Sequence, residues 1–209
     1  MDLLEILAPH ASDPRALTER LGHYVDILLR HNSATNLIGP LDREAIEREL
    51  IVDALLPSLG GAPPEGPLLD VGSGAGLPGI PLAILHPDLP IHLVEPRQKR
   101  VAFLQLAIKE LGLDKVAVHK KRIEVFQAVP RGEVGTMAGK AFRPPAEWLD
   151  EAARWLRPGG LVYLYLSNRS WDARAIERAE SLGFRLAARA EHPTNPERFG
   201  IAMRLAPSR

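Results

Sequence analysis

Leu68-Leu69-Asp70-Val71-Gly72-Ser73-Gly74-Ala75-Gly76-Leu77-Pro78-Gly79 joins a short apolar run to a glycine-rich turn, and the turn opens an apolar helical pattern at Ile80, Leu82, Ala83 and Ile84. Glycines let the backbone turn sharply and let a ligand come close to the peptide groups. The N-terminus of the following helix adds unpaired N–H donors. The Gly74-x-Gly76-x-x-Gly79 spacing alone is common to many nucleotide sites. Two acids narrow it: Asp70 stands two residues before the first glycine, and Glu95 ends the next strand-like run, 25 positions further on. A carboxylate there can accept both hydroxyls of a ribose, the sugar shared by NAD and S-adenosylmethionine.

Outward from this turn, apolar runs alternate with helical patterns. Leu68–Val71, Ile91–Glu95, Val116–His119, Gly135–Ala138 and Leu161–Leu166 read as strands, with Val101–Leu111 and Pro145–Leu156 as helices between them. Such alternation predicts a parallel sheet covered on both faces. Phe184–Ala190 and Phe199–Leu205 are separated by too few residues for a crossover helix, so they are predicted to pair antiparallel. Upstream, Asp13-Pro14 caps a helix carrying Leu17, Leu21, Tyr24, Val25 and Leu28 on one stripe. A second helix opens at Asp42 and is expected to stop at Pro57, with Arg30–Gly39 a polar connection between the two. The Gly- and Pro-rich segment Gly60–Pro67 then divides the chain into a helical N-terminal extension (1–60) and an α/β domain (67–209).

Composition removes several chemistries. None of the 209 residues is a cysteine, which excludes disulfide frameworks, Cys-ligated zinc, Fe–S clusters and thiolate nucleophiles. The histidines form no His-x-x-x-His pair, no Gly-x-x-x-x-Gly-Lys-Ser/Thr occurs, and Val71 and Ala75 replace the glycines of a nucleophile elbow, so no metal is expected. The longest stretch without Asp, Glu, Lys or Arg, Val71–Pro87, is broken by glycines and shorter than the ~18 apolar residues of a spanning helix. No leader is read at the N-terminus, and a soluble, cytoplasmic protein is expected. The formal net charge of zero hides an asymmetry: −9 over residues 1–96, +7 over 97–143 and +2 over 144–209. A basic middle segment suits an anionic partner such as a nucleic acid, and equally a solvated helix face.

Three features favour S-adenosylmethionine over NAD. Asp70 precedes the first glycine where dinucleotide sites commonly have an apolar residue, Leu156-Arg157-Pro158-Gly159-Gly160 leads into the fifth strand as in class I methyltransferases, and the antiparallel terminal pair fits that fold. The predicted fold class is therefore a Rossmann-like class I methyltransferase: a seven-stranded, mostly parallel α/β sheet with an antiparallel last strand. Lack of cysteine removes cytosine-C5 methylation, which needs a thiolate adduct. Gly139-Lys140-Ala141-Phe142-Arg143-Pro144-Pro145 lacks the Asp/Asn-Pro-Pro-Tyr/Phe signature of amino-nitrogen methylation. Nucleophiles with a free lone pair remain, guanine N7 among them, for which alignment suffices and no general base is required.

The stretch Asp70–Leu82, with its Leu77-Pro78-Gly79-Ile80-Pro81 extension, resembles the motif of the RsmG (GidB) family, bacterial methyltransferases of a guanine N7 in small-subunit ribosomal RNA. Lys99-Arg100-Val101-Ala102-Phe103-Leu104, Arg122-Ile123-Glu124-Val125-Phe126 and Asn32-Ser33-Ala34-Thr35-Asn36-Leu37 agree with it, so the similarity spans nearly the whole chain. The resemblance implies that Asp70, Gly72, Ser73, Gly74, Gly76 and Leu77 form the cofactor turn, Glu95 holds the ribose, and Ile123 and Glu124 meet the adenine. Lys140 stands near the methionine end where the family usually has arginine, a point charge in place of a planar fork. His31 replaces the family's usual tryptophan, and Glu49-Leu50 its Arg-His before Asp53. RNA contacts are expected from Asn36, Lys99, Arg100, Lys121 and Arg143, with Lys140 and Arg143 as positioning groups and no catalytic base assigned. Lys120 and Arg122 are further phosphate candidates, whereas Phe126 and Phe142 are read as core. The implied partner is 16S ribosomal RNA or a small-subunit assembly particle, met by a monomer with no membrane. An NAD-dependent oxidoreductase and a non-catalytic RNA-binding module are the alternatives.

Overall fold

Asp13 accepts the Ala16 N–H at 3.0 Å and Pro14 occupies the first helical position, which starts the longest helix among the described residues, α2 (Pro14–Thr35), after a short α1 (Leu3–Leu7). A computed structural model describes residues 2–207. Helix α2 runs through Arg30–Thr35, the first part of the expected polar connection, because no glycine or proline interrupts it there. It ends at Asn36, which takes the left-handed conformation (φ 54°) and returns its N–H to Asn32 at 2.8 Å. Asn32 Oδ1 accepts the Leu37 and Ile38 N–H groups, both at 2.9 Å, and so shapes the connection that follows.

Asp42 caps α3 (Arg43–Ala45), which widens into a π-helical turn at Ile46–Ile51 and continues as α4 (Val52–Leu59). The helix passes through Pro57 instead of stopping there. Proline costs a helix one donor and a steric clash, but all seven side chains from Val52 to Ser58 are buried, and that burial offsets the loss. The sheet makes room for them at Gly200, where an added Cβ would lie 2.6 Å from Leu56 Cβ and 2.8 Å from Pro57 Cδ.

The sheet contains β1 (Leu68–Val71), β2 (Ile91–Val94), β3 (Val116–His119), β4 (Val134–Ala138), β5 (Leu156–Ser167), β6 (Phe184–Glu191) and β7 (Arg198–Leu205), in the spatial order β3-β2-β1-β4-β5-β7-β6. The first five are parallel, and β7 lies antiparallel to both β5 and β6. Strand β5 starts five residues earlier than the apolar run suggests: Leu156 already pairs with Val134, and a register shift precedes the Thr136–Leu161 pairing. Helices α5 (Gly79–Leu85), α6 (Gln98–Leu111), α7 (Pro145–Trp155) and α8 (Ala173–Ser181) complete the fold.

Two apolar layers cover the sheet. One joins α2 and α4 to α5 and α6 through Leu21, Leu28, Leu55, Ile80, Leu93 and Leu104, so the core runs unbroken across the Gly60–Pro67 segment. The other holds Trp148, Leu149, Trp155, Ala179, Phe184 and Phe199. The Tyr24 hydroxyl, fully buried on α2, donates to the Ala75 carbonyl of the glycine-rich turn at 2.7 Å. Among the described residues, no helix is long and apolar enough to cross a membrane. Gly200→Ala should force α4 away from β7 and lower the unfolding free energy by about 1–3 kcal/mol, readable in urea titration against the unsubstituted protein.

Candidate active site

The chain order of the strands reverses between β1 and β4, which opens a crevice beyond their carboxyl ends, the usual ligand position in open α/β sheets. On the β1 side, Gly72 N–H bonds the Val94 carbonyl at 2.8 Å and the backbone folds back at Ser73–Gly76. Gly72 has φ +73°, and a Cβ on it would stand 2.9 Å from the Phe142 ring. Gly79 is required for a different reason: its Cβ would meet the Leu93 side chain and come within 2.7 Å of Asp70 Oδ2.

That close approach lets the Gly79 N–H donate to Asp70 Oδ2 at 3.1 Å. Asp70 is fully buried, and its Oδ1 has no hydrogen-bond partner among the described residues. Burial pushes its carboxyl up to about 7; hydrogen bonding from Ser73 and Gly79 opposes the shift and repulsion from Glu95 adds to it. Glu95, 2% exposed, holds the neighbouring loops: Oε2 accepts the Gly74 N–H at 3.0 Å and Oε1 the Arg97 N–H at 2.9 Å. Arg100 Nη1 lies 3.7 Å from Glu95 Oε2.

Two clefts meet at Gly72, Pro96 and Phe142. The larger, about 570 Å³, is lined by Gly72, Ser73, Gly74, Leu77, Glu95, Arg100 and Lys140 of the sequence-predicted set. The smaller, about 300 Å³, takes Lys121, Ile123, Glu124 and Arg143. Gly76 and Asp70 lie beneath the turn and line neither; they act on its shape. Asn36 and Lys99 are exposed and also line neither cleft; Asn36 serves as the cap of α2.

Lys140 is committed to a partner 87 positions away in the chain. Its Nζ lies 2.7 Å from Asp53 Oδ2 on α4, and Arg198 Nη2 donates to the same oxygen at 2.8 Å. Burial lowers the Lys140 pKa, and the Asp53 charge opposes that shift. Arg143 reaches toward Glu124 at 3.4 Å and places its guanidinium 5.2 Å from the Phe142 ring centre. Phe142, read from sequence as core, instead forms part of both cleft walls. The other wall of the larger cleft, Leu37, Ile38, Gly39, Leu41 and Leu50, was not foreseen. Its only sequence signal is the Asn32-to-Leu37 run, whose Asn32 side chain sets the loop.

These residues suit an adenosyl ligand: bare peptide at Gly72 and Gly74, a buried carboxylate beside them, and Ile123 with Glu124 in the adjoining cleft. Fold and crevice together define a class I methyltransferase architecture. Among solved structures, the chain is similar to Aeropyrum pernix fibrillarin with bound S-adenosyl-L-methionine (TM-score 0.55, 19% identity, 73% of each chain). It is also similar to Pyrococcus horikoshii TYW2 in complex with MeSAdo (TM-score 0.58, 12% identity, covering 78% of this chain and 63% of that one). The profile of a family described as GidB, rRNA small subunit methyltransferase G, matches residues 17–184. Proteins named ribosomal RNA small subunit methyltransferase G share 37% identity over 164 residues in Paracoccus denitrificans (78% of this chain, 82% of that one) and 40% over 144 residues in Neisseria meningitidis serogroup A (68% and 67%). The chain belongs to this rRNA small subunit methyltransferase G family, and its cofactor is accordingly S-adenosylmethionine rather than NAD.

Gly72→Ala is expected to weaken S-adenosylmethionine binding at least tenfold by calorimetry, since the methyl group strains the backbone and displaces Phe142. A second expectation concerns pH. Between the ordinary 3.8 of an aspartate and about 7, folded Asp70 keeps a proton that the unfolded chain has lost, so its contribution to stability falls as pH rises through that window and levels above it. Asp70→Asn removes this component, and the stability of the unsubstituted protein relative to the variant should decline from pH 5 to pH 7.5 in urea melts.

Proposed function

We propose that the protein transfers a methyl group from S-adenosylmethionine to N7 of a guanine in small-subunit ribosomal RNA. The family match over residues 17–184 carries this reading, and the site chemistry agrees with it. When bound, S-adenosylmethionine supplies an electrophilic methyl group on a sulfonium. The protein's share is alignment: guanine N7 is a nucleophile with a free lone pair, so holding the two reactants in line supplies most of the acceleration. In this reading Glu95 accepts the ribose hydroxyls with its remaining lone pairs, Gly72 and Leu77 approach through their backbone, and Ile123 with Glu124 borders the adenine. Asp70 keeps the turn tied to α5.

The basic residues around the mouth, Lys121, Arg122 and Arg143 with Lys99 further out on α6, would neutralise phosphates and set the register of the RNA without reading its bases. Lys140, half neutralised by Asp53, keeps positive charge near the methionine carboxylate without the two-pronged geometry of an arginine. The substrate is 16S RNA or a small-subunit assembly particle, met in the cytoplasm by a monomeric enzyme.

Incubation with labelled S-adenosylmethionine and unmodified small-subunit RNA should place label on one guanine. Borohydride reduction followed by aniline should then cut the strand at that guanine, because N7 methylation makes the ring reducible and the glycosidic bond labile. RNA made with 7-deazaguanine should take up none. Label on the 7-deaza RNA, or on a base resistant to scission, would refute N7 as the acceptor.

A further inference from the structure

Phe142 is the one aromatic residue among the described side chains that line either cleft. It stands where the two clefts join, at the carboxyl end of β4, facing the cofactor turn across the crevice with its ring against Gly72. Its position is built in from both sides. Ala141 before it holds φ +54°, a left-handed conformation that costs a residue with a Cβ about 1 kcal/mol or more. Lys140 is anchored to Asp53, and Arg143 lies beside Glu124. The Trp148 ring backs Phe142 edge-on at 5.8 Å and is itself fixed by its N–H to the Tyr163 carbonyl at 3.1 Å. A side chain needed only as filler would not require a strained turn and an aromatic buttress to stay at a half-exposed junction.

We propose that the Phe142 ring is the surface on which the target guanine stacks, with the Arg143 guanidinium extending it toward the RNA backbone; this rests on the guanine-methylation reading above. Unpaired RNA bases are held by stacking on aromatic rings and arginine planes, which fixes the plane of the base and leaves its edges free. For N7 transfer the plane matters more than the edge hydrogen bonds, because the lone pair lies in that plane and must point at the methyl carbon. Phe142 also borders the cofactor turn, so the same ring sets the distance between the base and Gly72. Among its apolar side chains the larger cleft otherwise offers aliphatic residues, Leu37, Ile38, Leu41 and Leu50, which exclude water without orienting a flat ring.

The test compares Phe142→Leu and Phe142→Tyr in the full chain. Leucine keeps apolar bulk against Trp148 and loses the flat face; tyrosine restores the face. Cofactor affinity of each variant is measured by calorimetry and the cofactor raised to saturation for each, so that the stacking role is read on the methyl-transfer step alone. The leucine variant should methylate small-subunit RNA about ten- to a hundredfold more slowly in single-turnover assays at saturating cofactor, the scale of one lost base stack. Tyrosine should recover the rate to within about threefold. Phe142→Met replaces leucine if the latter melts early. Methylation by the leucine variant at the full rate overturns the stacking role. So does an equal loss of methyl-transfer rate in the leucine and tyrosine variants, which would make the flat face irrelevant. An unsubstituted protein that methylates no RNA overturns the parent reading instead, before any variant is compared.

Discussion

The hydrogen bond from Gly79 to Asp70 ties the first turn of α5 to the end of β1, and the crevice exists because of it. A carboxylate with no solvent access is expensive to ionise, so burying one here shows how tightly the strand and helix must meet. Gly79 permits the approach, Ser73 bonds the Asp70 carbonyl at 3.0 Å, and Tyr24 holds the far side of the same turn. The start of α5, the turn's own Ser73 and the distant α2 thereby hold one short stretch of backbone beside the crevice. The Asp70 titration near neutrality is the cost of that geometry and follows from burial first.

Electrostatics is arranged on two scales. Across the chain, an acidic N-terminal portion is cancelled by a basic middle segment together with a weakly basic C-terminal portion, yet the basic side chains of the middle segment gather around the cleft mouths where a polyanion would approach. Locally, each buried charge is answered at close range: Glu95 by two backbone N–H groups, Asp53 by Lys140 and Arg198. The lysine in place of the family's usual arginine is therefore not a free cation in the cleft. Its charge is shared with α4, so the change affects how the N-terminal helices are attached.

Most of the sheet was legible because its inner parallel strands are covered on both faces and show as short apolar runs between punctuating residues, as at Leu68–Val71 and Ile91–Val94. What was not legible depends on packing between distant segments. Pro57 stays helical because Gly200, 143 positions away, leaves space for it. Residues 30–35 are polar, and with no breaker among them a polar helix end and a polar loop look alike. The glycine turn and Glu95 could be found from spacing, since strand, turn and helix are local there. The Lys140–Asp53 pair and the cleft position of Phe142 could not, because composition tells core from cleft wall only when burial is known.

The placement of β7 has a consequence for how the molecule is made. It follows β6 in the chain and yet lies between β5 and β6, and its Gly200 and Arg198 receive α4. The sheet therefore cannot grow strand by strand in the order of synthesis. β6 has no strand to pair with, and α4 lacks the part of its floor that β7 supplies, until β7 has left the ribosome. Contacts of such long sequence separation are slow to form, so β6 and the β7 part of the α4 seat are completed together, in one step.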